Sequence, residues 1–492
     1  MGSPYDLREW LAEMEQQDQL LTIDEEVDID EEMGAITYLV ARTAGRESIL
    51  FRKPSGDGTD FHVSLLWNLI GPSLKRCALT FGLPGDTTVL ELTRHLAERF
   101  SAALPTVEVP AEAAPLFEHS LYGDDIDLTK WPIPKHWARD GGRYGGTGDI
   151  VITSDPDTGV ENVGTYRMML HGPRQVGLHM SPGKGAGAHL AAAWKAGKPL
   201  PVAAAWGVHP LFMIIGSQNV RSDVSEYEYL GGLLGRSVTT TLGPETALPL
   251  PAEAEMVIEG EIPPDSMHDE GPFGEFTGHY GSPMHPSPLM EVKAVHFRSQ
   301  PVLTNALMGE YPSNEHEVFL AVMRAARIWD ELNRLGVSGI RGVYSHPASA
   351  SGFGMTVVSL EQRHVGHARQ VLNLAAHVPA GSYFTKWVIV VDHDVDPTNL
   401  DEVLWAMSTR CSPAQRISIH TGTWNTQLDP SIFPVSERTL GSRCLIDATV
   451  DFRHLDEVSP RTLLRESTYE RVRARWSQLG SKYPIPEVAS FD

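Results

Sequence analysis

The chain has 492 residues, 41% of them hydrophobic and 21% charged, with a formal net charge of −23 at pH 7. It is too long for one hydrophobic core and should divide into roughly two to four domains, with the composition of an ordinary globular protein rather than a disordered one. The acidic excess is spread along the chain without a basic patch, which argues against nucleic acid and anionic membrane partners. Three cysteines, Cys77, Cys411 and Cys444, show no paired Cys-x-x-Cys spacing, so free thiols in a reducing compartment are expected. The N-terminus lacks the regions of a signal peptide and no window reaches the ~20 apolar residues of a membrane span, so a cytoplasmic protein is expected.

Ser3-Pro4 followed by Asp6 reads as a helix start, with Leu7, Trp10, Leu11 and Met14 at helical spacing. Asp30 to Ala44 predicts a second helix, Ser48 to Phe51 and Val63 to Leu66 short strands, and Thr87 to Phe100 a helix capped by Asp86. The Pro- and Ala-rich stretch Ala102 to Pro134 reads as a surface connector. Short alternating segments follow: Asp149 to Thr153, Asn162 to His171, Val176 to Met180, Val202 to Trp206, Met256 to Ile262 and Met290 to Phe297. They predict an antiparallel barrel or sandwich with helical insertions, one over Ala186 to Ala196 and one near Val224 to Leu234.

Beyond residue 310 the helical period returns. His316 to Leu335, Val365 to Ala376 and Asn399 to Ser408 predict helices, alternating with strands at Ile340 to Tyr344, Met355 to Leu360 and Tyr383 to Val391. This predicts a third, α/β domain. Pro460 to Leu479 reads as a charged terminal helix in need of a docking surface, such as another subunit.

The chemistry centres on Asp269-Glu270-Gly271-Pro272-Phe273-Gly274-Glu275-Phe276-Thr277-Gly278. Its Gly-Pro-Phe-Gly turn can bring the Glu270 and Glu275 carboxyls toward one place, and such pairs do acid/base work when their pKa values are pushed apart. In Asn162-Val163-Gly164-Thr165-Tyr166-Arg167, an extended strand puts Asn162, Gly164 and Tyr166 on one face and Arg167 on the other. Arg167 could clamp a carboxylate, although a lone arginine is more often an exposed strand residue. Pro182-Gly183-Lys184-Gly185 before a helix suits one phosphate, as on a flavin mononucleotide, or an ordinary helix entry; it is not a Walker A loop. Carboxylates from Asp223 to Glu228 fit helix capping, or with Asn162 an oxygen-rich site for Mg²⁺ or Mn²⁺. Asp392-His393-Asp394-Val395-Asp396 reads as a strand-end loop and helix entry, and His316 alone as a structural or exposed histidine.

Together these stretches resemble the UbiD family of decarboxylases, which use prenylated flavin mononucleotide. The marks are Asn162 to Arg167, Glu270 to Gly278, Asp394-Val-Asp-Pro leading to Leu404-Trp-Ala-Met-Ser-Thr-Arg410, and Gly441-Ser-Arg-Cys-Leu-Ile-Asp-Ala448. The resemblance implies an α/β and α+β multidomain fold. Its parts are an N-terminal α/β domain (residues 1–110), a split β-barrel flavin-binding domain (111–305), a C-terminal α/β oligomerisation domain (306–458) and a helical tail (459–492). It implies reversible non-oxidative decarboxylation of an aromatic or heteroaromatic acid, hydroxybenzoate-like or fused-ring such as phenazine-1-carboxylate, through a covalent prenylated-FMN adduct.

By the same resemblance, Arg167, Glu270 and Glu275 are catalytic, with Glu275 the proton donor. Asn162 and Glu226 hold a divalent metal, Mn²⁺ or alternatively Mg²⁺, with a potassium ion as a further cation. Thr147, Thr165, Tyr166, Met180, Ser181, Lys184, Gly216, Ser217, Gln218 and Arg443 contact the cofactor, and His316 lines the substrate pocket. Two departures stand out: no histidine aligns as third metal ligand, although His179 and His189 lie close, and Arg443 stands where many members have lysine. A flavin prenyltransferase as cofactor source and a homodimer or homohexamer are implied too. A carboxylate-pair hydrolase using Glu270 and Glu275, or a non-catalytic flavin-binding assembly protein, are the alternatives.

Overall fold

The computed structural model describes residues 6–99, 102–180, 185–218, 220, 224–281, 283–480, 482–486 and 488. The first helix, Leu7–Gln16, starts where Asp6 accepts the Glu9 N–H, and it buries Leu7, Trp10 and Met14; Ser3 and Pro4 lie outside the described residues. The second helix is shorter than expected, Glu32–Val40. The helix Val89–Arg99 is entered through Thr88 and Glu91, which cap each other's backbone N–H (3.3 and 2.9 Å), and not through Asp86. The N-terminal sheet runs in the order Leu20–Asp28, Ser48–Ser55, Ser64–Trp67, Val302–Asn305. Its last strand comes from far along the chain and stitches this unit to the next.

The central domain is one curled, antiparallel half-barrel sheet, not a sandwich. Its order is Tyr144–Gly146, Met168–Gly172, Gln175–Leu178, His285–Phe297, Met256–Ile262, Leu200–Trp206, Ile150–Ser154, Glu161–Gly164. Met267–Glu270 and His119–Tyr122 pair separately with the long strand His285–Phe297. Alternate side chains feed two cores: Val151, Val202, Ala204 and Ile258 pack on one side, and Ile150, Ile152, Ala203, Ala205 and Val257 on the other. Both faces are thus covered, the second partly by the helices Leu211–Gly216 and Glu226–Leu234.

The predicted strand Asn162 to His171 is two strands. Pairing breaks at Thr165–Arg167, and the halves Glu161–Gly164 and Met168–Gly172 lie at opposite ends of the sheet order. That break leaves Arg167 just ahead of the strand Met168–Gly172, with its carbonyl accepting the His179 N–H (3.1 Å).

The C-terminal domain packs the helix Glu317–Arg334 against a five-stranded sheet ordered Ile340–Ser345, Met355–Leu360, Trp387–Asp392, Leu440–Ala448, Ile417–Trp424. The acidic loop after Trp387–Asp392 is an ion-pair centre: Arg410 bonds Asp392 (2.9 Å) and both oxygens of Asp394 (2.8 and 2.7 Å). The tail is not the single long helix expected. It holds a short helix, Glu466–Arg473, and a turn, Trp476–Leu479, folded back so that Trp476 Nε1 donates to Tyr483 O. Among the described residues, no helix is long and apolar enough to cross a membrane. Cys77, Cys411 and Cys444 are free.

Candidate active site

Glu270 ends a strand, and the chain turns at Gly271, whose φ of 94° lies in the region glycine adopts without penalty. The neighbouring loop grips this turn. Asp140 accepts N–H bonds from Gly274 (3.1 Å) and Trp137 (2.9 Å), and Gly141 donates to Pro272 O (2.8 Å). A Cβ on Gly141 would lie 2.0 Å from Gly271 O, so this approach requires glycine. Phe273 is buried beneath the turn, its ring 4.5 Å from Tyr144 and 5.3 Å below the Arg167 guanidinium.

This geometry brings the two carboxyls to one arginine. Arg167 Nε donates to Glu270 Oε1 (2.9 Å), Nη2 to Glu270 Oε2 (2.8 Å) and Nη1 to Glu275 Oε1 (2.5 Å). Burial works against the guanidinium charge, but the two glutamates more than offset it and hold Arg167 above the ordinary arginine value. Glu270 is fully buried and receives another bond from the Tyr144 hydroxyl (2.9 Å). Burial alone would raise its pKa; hydrogen bonding from His179 and the Arg167 charge outweigh that and hold the carboxyl at about 2. Glu275 is braced differently. Its N–H donates to His279 O (3.0 Å), and a Cβ on Gly281 would come within 2.9 Å of its Cγ.

A second cluster forms where the strand Glu161–Gly164 meets three helices. Asn162 Nδ2 reaches the Tyr166 hydroxyl (3.4 Å), Tyr166 Oη accepts the Ala186 N–H (3.2 Å), and Thr165 N donates to Gly216 O (3.2 Å). A Cβ on Gly185 would meet Asn162 Oδ1 at 1.8 Å and would push the Asn162 amide out of its present place. Ser217 and Gln218 follow Gly216, with Gln218 Nε2 on Ser217 Oγ (2.9 Å). Glu226 opens its helix, accepts the Val163 N–H (2.8 Å), and is pushed by burial up to about 7. The half-buried Glu226 carboxylate, with no cationic side chain bonded to it among the described residues, and the Asn162 amide on the strand it bonds are oxygen donors of the kind that fit Mg²⁺ or Mn²⁺.

The remaining expected residues divide. Thr147 donates to Ala306 O (2.6 Å) and Met180 is buried in the barrel core; Ser181 and Lys184 lie outside the described residues. His316 sits half-buried at the start of the helix Glu317–Arg334, with Asn314 linking its backbone N–H (3.1 Å) to Phe276 O (3.3 Å). An aromatic wall follows Glu275: Phe276 contacts Phe353 (5.6 Å) and Phe384 (6.3 Å). Arg443 is not drawn into either cluster. Its guanidinium donates to the backbone carbonyls of Ala376 and Ser382 in the C-terminal domain, where it buttresses a helix end. The two nearby histidines have other partners: His189 bonds Thr153 (2.9 Å), and His179 lies 3.5 Å from Glu270.

Sequence reasoning missed Tyr144, His179, His285, Asp140 and Phe273 as parts of the site. Only Phe273 carried a local signal, its place inside the turn.

Comparison with known proteins places the chain in a family. Three consecutive stretches match family models of 3-octaprenyl-4-hydroxybenzoate carboxy-lyase: its N-terminal domain over residues 11–96, its Rift-related domain over 107–311 and its C-terminal domain over 317–448. The chain belongs to the UbiD family. A phenolic acid decarboxylase of Bacillus subtilis (strain 168) is 32% identical over 90% of this chain and 92% of its own. Among solved structures, the UbiD-class enzyme HmfF from Pelotomaculum thermopropionicum, in complex with FMN, is 31% identical with a TM-score of 0.81 (93% of this chain, 96% of that one). The closed form of Sedimentibacter hydroxybenzoicus vanillic acid decarboxylase is 29% identical with a TM-score of 0.83 (97% and 99%). Homologues of this UbiD member are therefore aromatic acid decarboxylases.

Proposed function

We propose that this protein catalyses the reversible, non-oxidative decarboxylation of an aromatic or heteroaromatic carboxylic acid, with prenylated FMN as cofactor. The observation that carries the reading is that one buried arginine, Arg167, holds both glutamates while Glu270 is kept well below the ordinary carboxyl value. Glu270, at about 2, is ionised throughout the neutral range and cannot give a proton. It fixes the guanidinium in two places, and Glu275 remains as the group that delivers one.

When bound, prenylated FMN supplies, by covalent attachment to the substrate, the electron sink that loss of CO₂ from an aromatic carbon requires. The chain's own residues do the rest. Arg167 uses three of its N–H groups on the glutamates and keeps others to orient the substrate carboxylate. Glu275 protonates the carbon that CO₂ leaves, and Phe276, Phe353 and Phe384 exclude water from an aromatic ring. Asn162 and Glu226 would hold Mn²⁺, which would supply positive charge for an anionic cofactor, and Thr147, Thr165, Tyr166, Met180, Gly216, Ser217 and Gln218 would form the cofactor bed. A flavin prenyltransferase supplies the cofactor.

A hydroxybenzoate-like acid or a fused-ring acid such as phenazine-1-carboxylate suits the aromatic wall and His316. A carboxylate-pair hydrolase fits poorly, because the guanidinium fills the space such an enzyme leaves for substrate and water. We further propose a homodimer or homohexamer, supported by the exposed Ile419, Trp424 and Leu440 on adjacent strands of the C-terminal sheet.

Glu275→Gln is expected to abolish turnover and hydrogen–deuterium exchange at the substrate carbon while flavin stays bound. Full activity in that variant would overturn the assignment. Bound prenylated flavin without decarboxylation of any aromatic acid in a broad panel would instead favour a non-catalytic flavin-binding role.

A further inference from the structure

Glu270 faces a second constellation that its bonds to Arg167 do not explain. His285 stands directly opposite it in the antiparallel ladder, and His179 follows the adjacent strand Gln175–Leu178. His179 Nδ1 lies 3.1 Å from His285 Nε2, and these atoms lie 3.5 and 3.7 Å from Glu270 Oε2. We propose that His179, His285 and Glu270 form a zinc-class divalent metal site, distinct from the oxygen-donor pair Asn162 and Glu226.

Geometry favours zinc over an octahedral ion. Zinc–ligand bonds of about 2.0–2.2 Å in a tetrahedron set neighbouring ligand atoms about 3.4 Å apart. Ligands on one face of an octahedron at similar bond lengths stand closer, at about 3.0 Å. The triangle here, with sides of 3.1, 3.5 and 3.7 Å, matches the first.

Proton placement agrees at His285, and at His179 the Nδ1 proton shared with Glu270 is released to solvent when an ion binds. His285 Nδ1 lies 3.1 Å from Pro283 O, which can only accept, so Nδ1 carries the proton and Nε2 presents its lone pair to the cluster. An outer partner of this kind orients metal-binding imidazoles generally. The side chains of His179 and His285 are 30% and 31% exposed, which gives an ion a path from solvent, while the carboxylate is buried. The fourth position is left to water or a ligand, as in sites with three protein donors.

Arg167 is the other charged group at this point, with Nη2 2.8 Å from Glu270 Oε2 and 3.4 Å from His179 Nδ1. Two carboxyl groups share that one guanidinium, so an added cation meets acidic groups as well as the arginine. Ion and arginine compete for the same atoms, and zinc draws Glu270 away from Arg167.

The test uses the full chain, purified without a polyhistidine tag, stripped with chelator and free of flavin and substrate. Co²⁺ is titrated as a spectroscopic substitute, and Zn²⁺ in competition with a chromophoric chelator. The wild type is expected to show the strong visible bands of four-coordinate cobalt and to bind zinc, with affinity falling roughly tenfold or more in His285→Gln and in His179→Gln. Glu226→Gln is expected to keep those bands. If circular dichroism shows one histidine variant unfolded, the other decides. Absence of four-coordinate bands in the wild type, or unchanged zinc affinity in the folded histidine variants, would leave a hydrogen-bonded histidine pair and overturn the proposal. Because no turnover is measured, that failure is separate from any failure of the decarboxylase reading.

Discussion

Glu270, fully buried, and Glu226, half-buried, start from the same chemistry and are pushed in opposite directions, Glu270 down to about 2 and Glu226 up to about 7. Burial pushes both upward. Glu270 overcomes it because Arg167, Tyr144 and His179 converge on its oxygens, whereas among the described residues Glu226 has the Val163 N–H and no bonded cationic side chain. Burial thus sets the cost of a charge, and partners decide whether the charge persists. Among the described residues the Glu270 carboxylate already has a cationic partner in Arg167, whereas Glu226, in the function proposed above, meets its cation as an added ion.

That contrast can be broken experimentally. The largest effect is expected at the proton donor: Glu275→Gln should lower turnover by roughly 10²–10⁴-fold or beyond measurement, read by product formation under saturating substrate. Removing the shared cation comes next. Arg167→Met leaves two buried carboxyls without their partner and should cost about 3–5 kcal/mol in chemical denaturation.

Opposite pH signatures sharpen the comparison further. The folded pKa of Glu270 lies below the ordinary carboxyl value, so its contribution is present above about pH 4.5 and is lost as pH falls toward about 2. Glu226 has a raised folded pKa, so metal-free protein should lose stability as pH rises from about 4.5 through 7. Mn²⁺ should restore that loss, and Glu226→Gln should remove both the loss and the Mn²⁺ response, measured by thermal unfolding across pH. The smallest effect is expected from Tyr144→Phe, which strips one donor from Glu270 and should cost about 1.5–3 kcal/mol.

Much of the site was legible because it is local. The turn from Glu270 to Glu275 carries its own glycines and its Phe273 anchor, and Asn162 to Arg167 places two functions within six residues. The strand break at Thr165–Arg167 was not legible, since nothing in the alternation marks where a ladder stops. Tyr144, His179 and His285 escaped because antiparallel pairing between distant segments brings them to Glu270. The strand Leu20–Asp28 was missed for another reason: the consecutive acids Asp24, Glu25 and Glu26 interrupt its apolar alternation, yet it pairs with Ser48–Ser55 through an irregular register. Arg443 shows the limit of carrying a residue's role across by resemblance, because its guanidinium serves the C-terminal backbone.

The central claim is that the two glutamates at Arg167 hold unequal protonation roles. Carboxyl titration by NMR on protein labelled with ¹³C at the glutamate side-chain carboxyl, assigned with Glu270→Gln and Glu275→Gln, tests it directly. The Glu270 signal is expected to stay that of a carboxylate down to at least about pH 3. A Glu270 signal that titrates near neutrality would contradict the account.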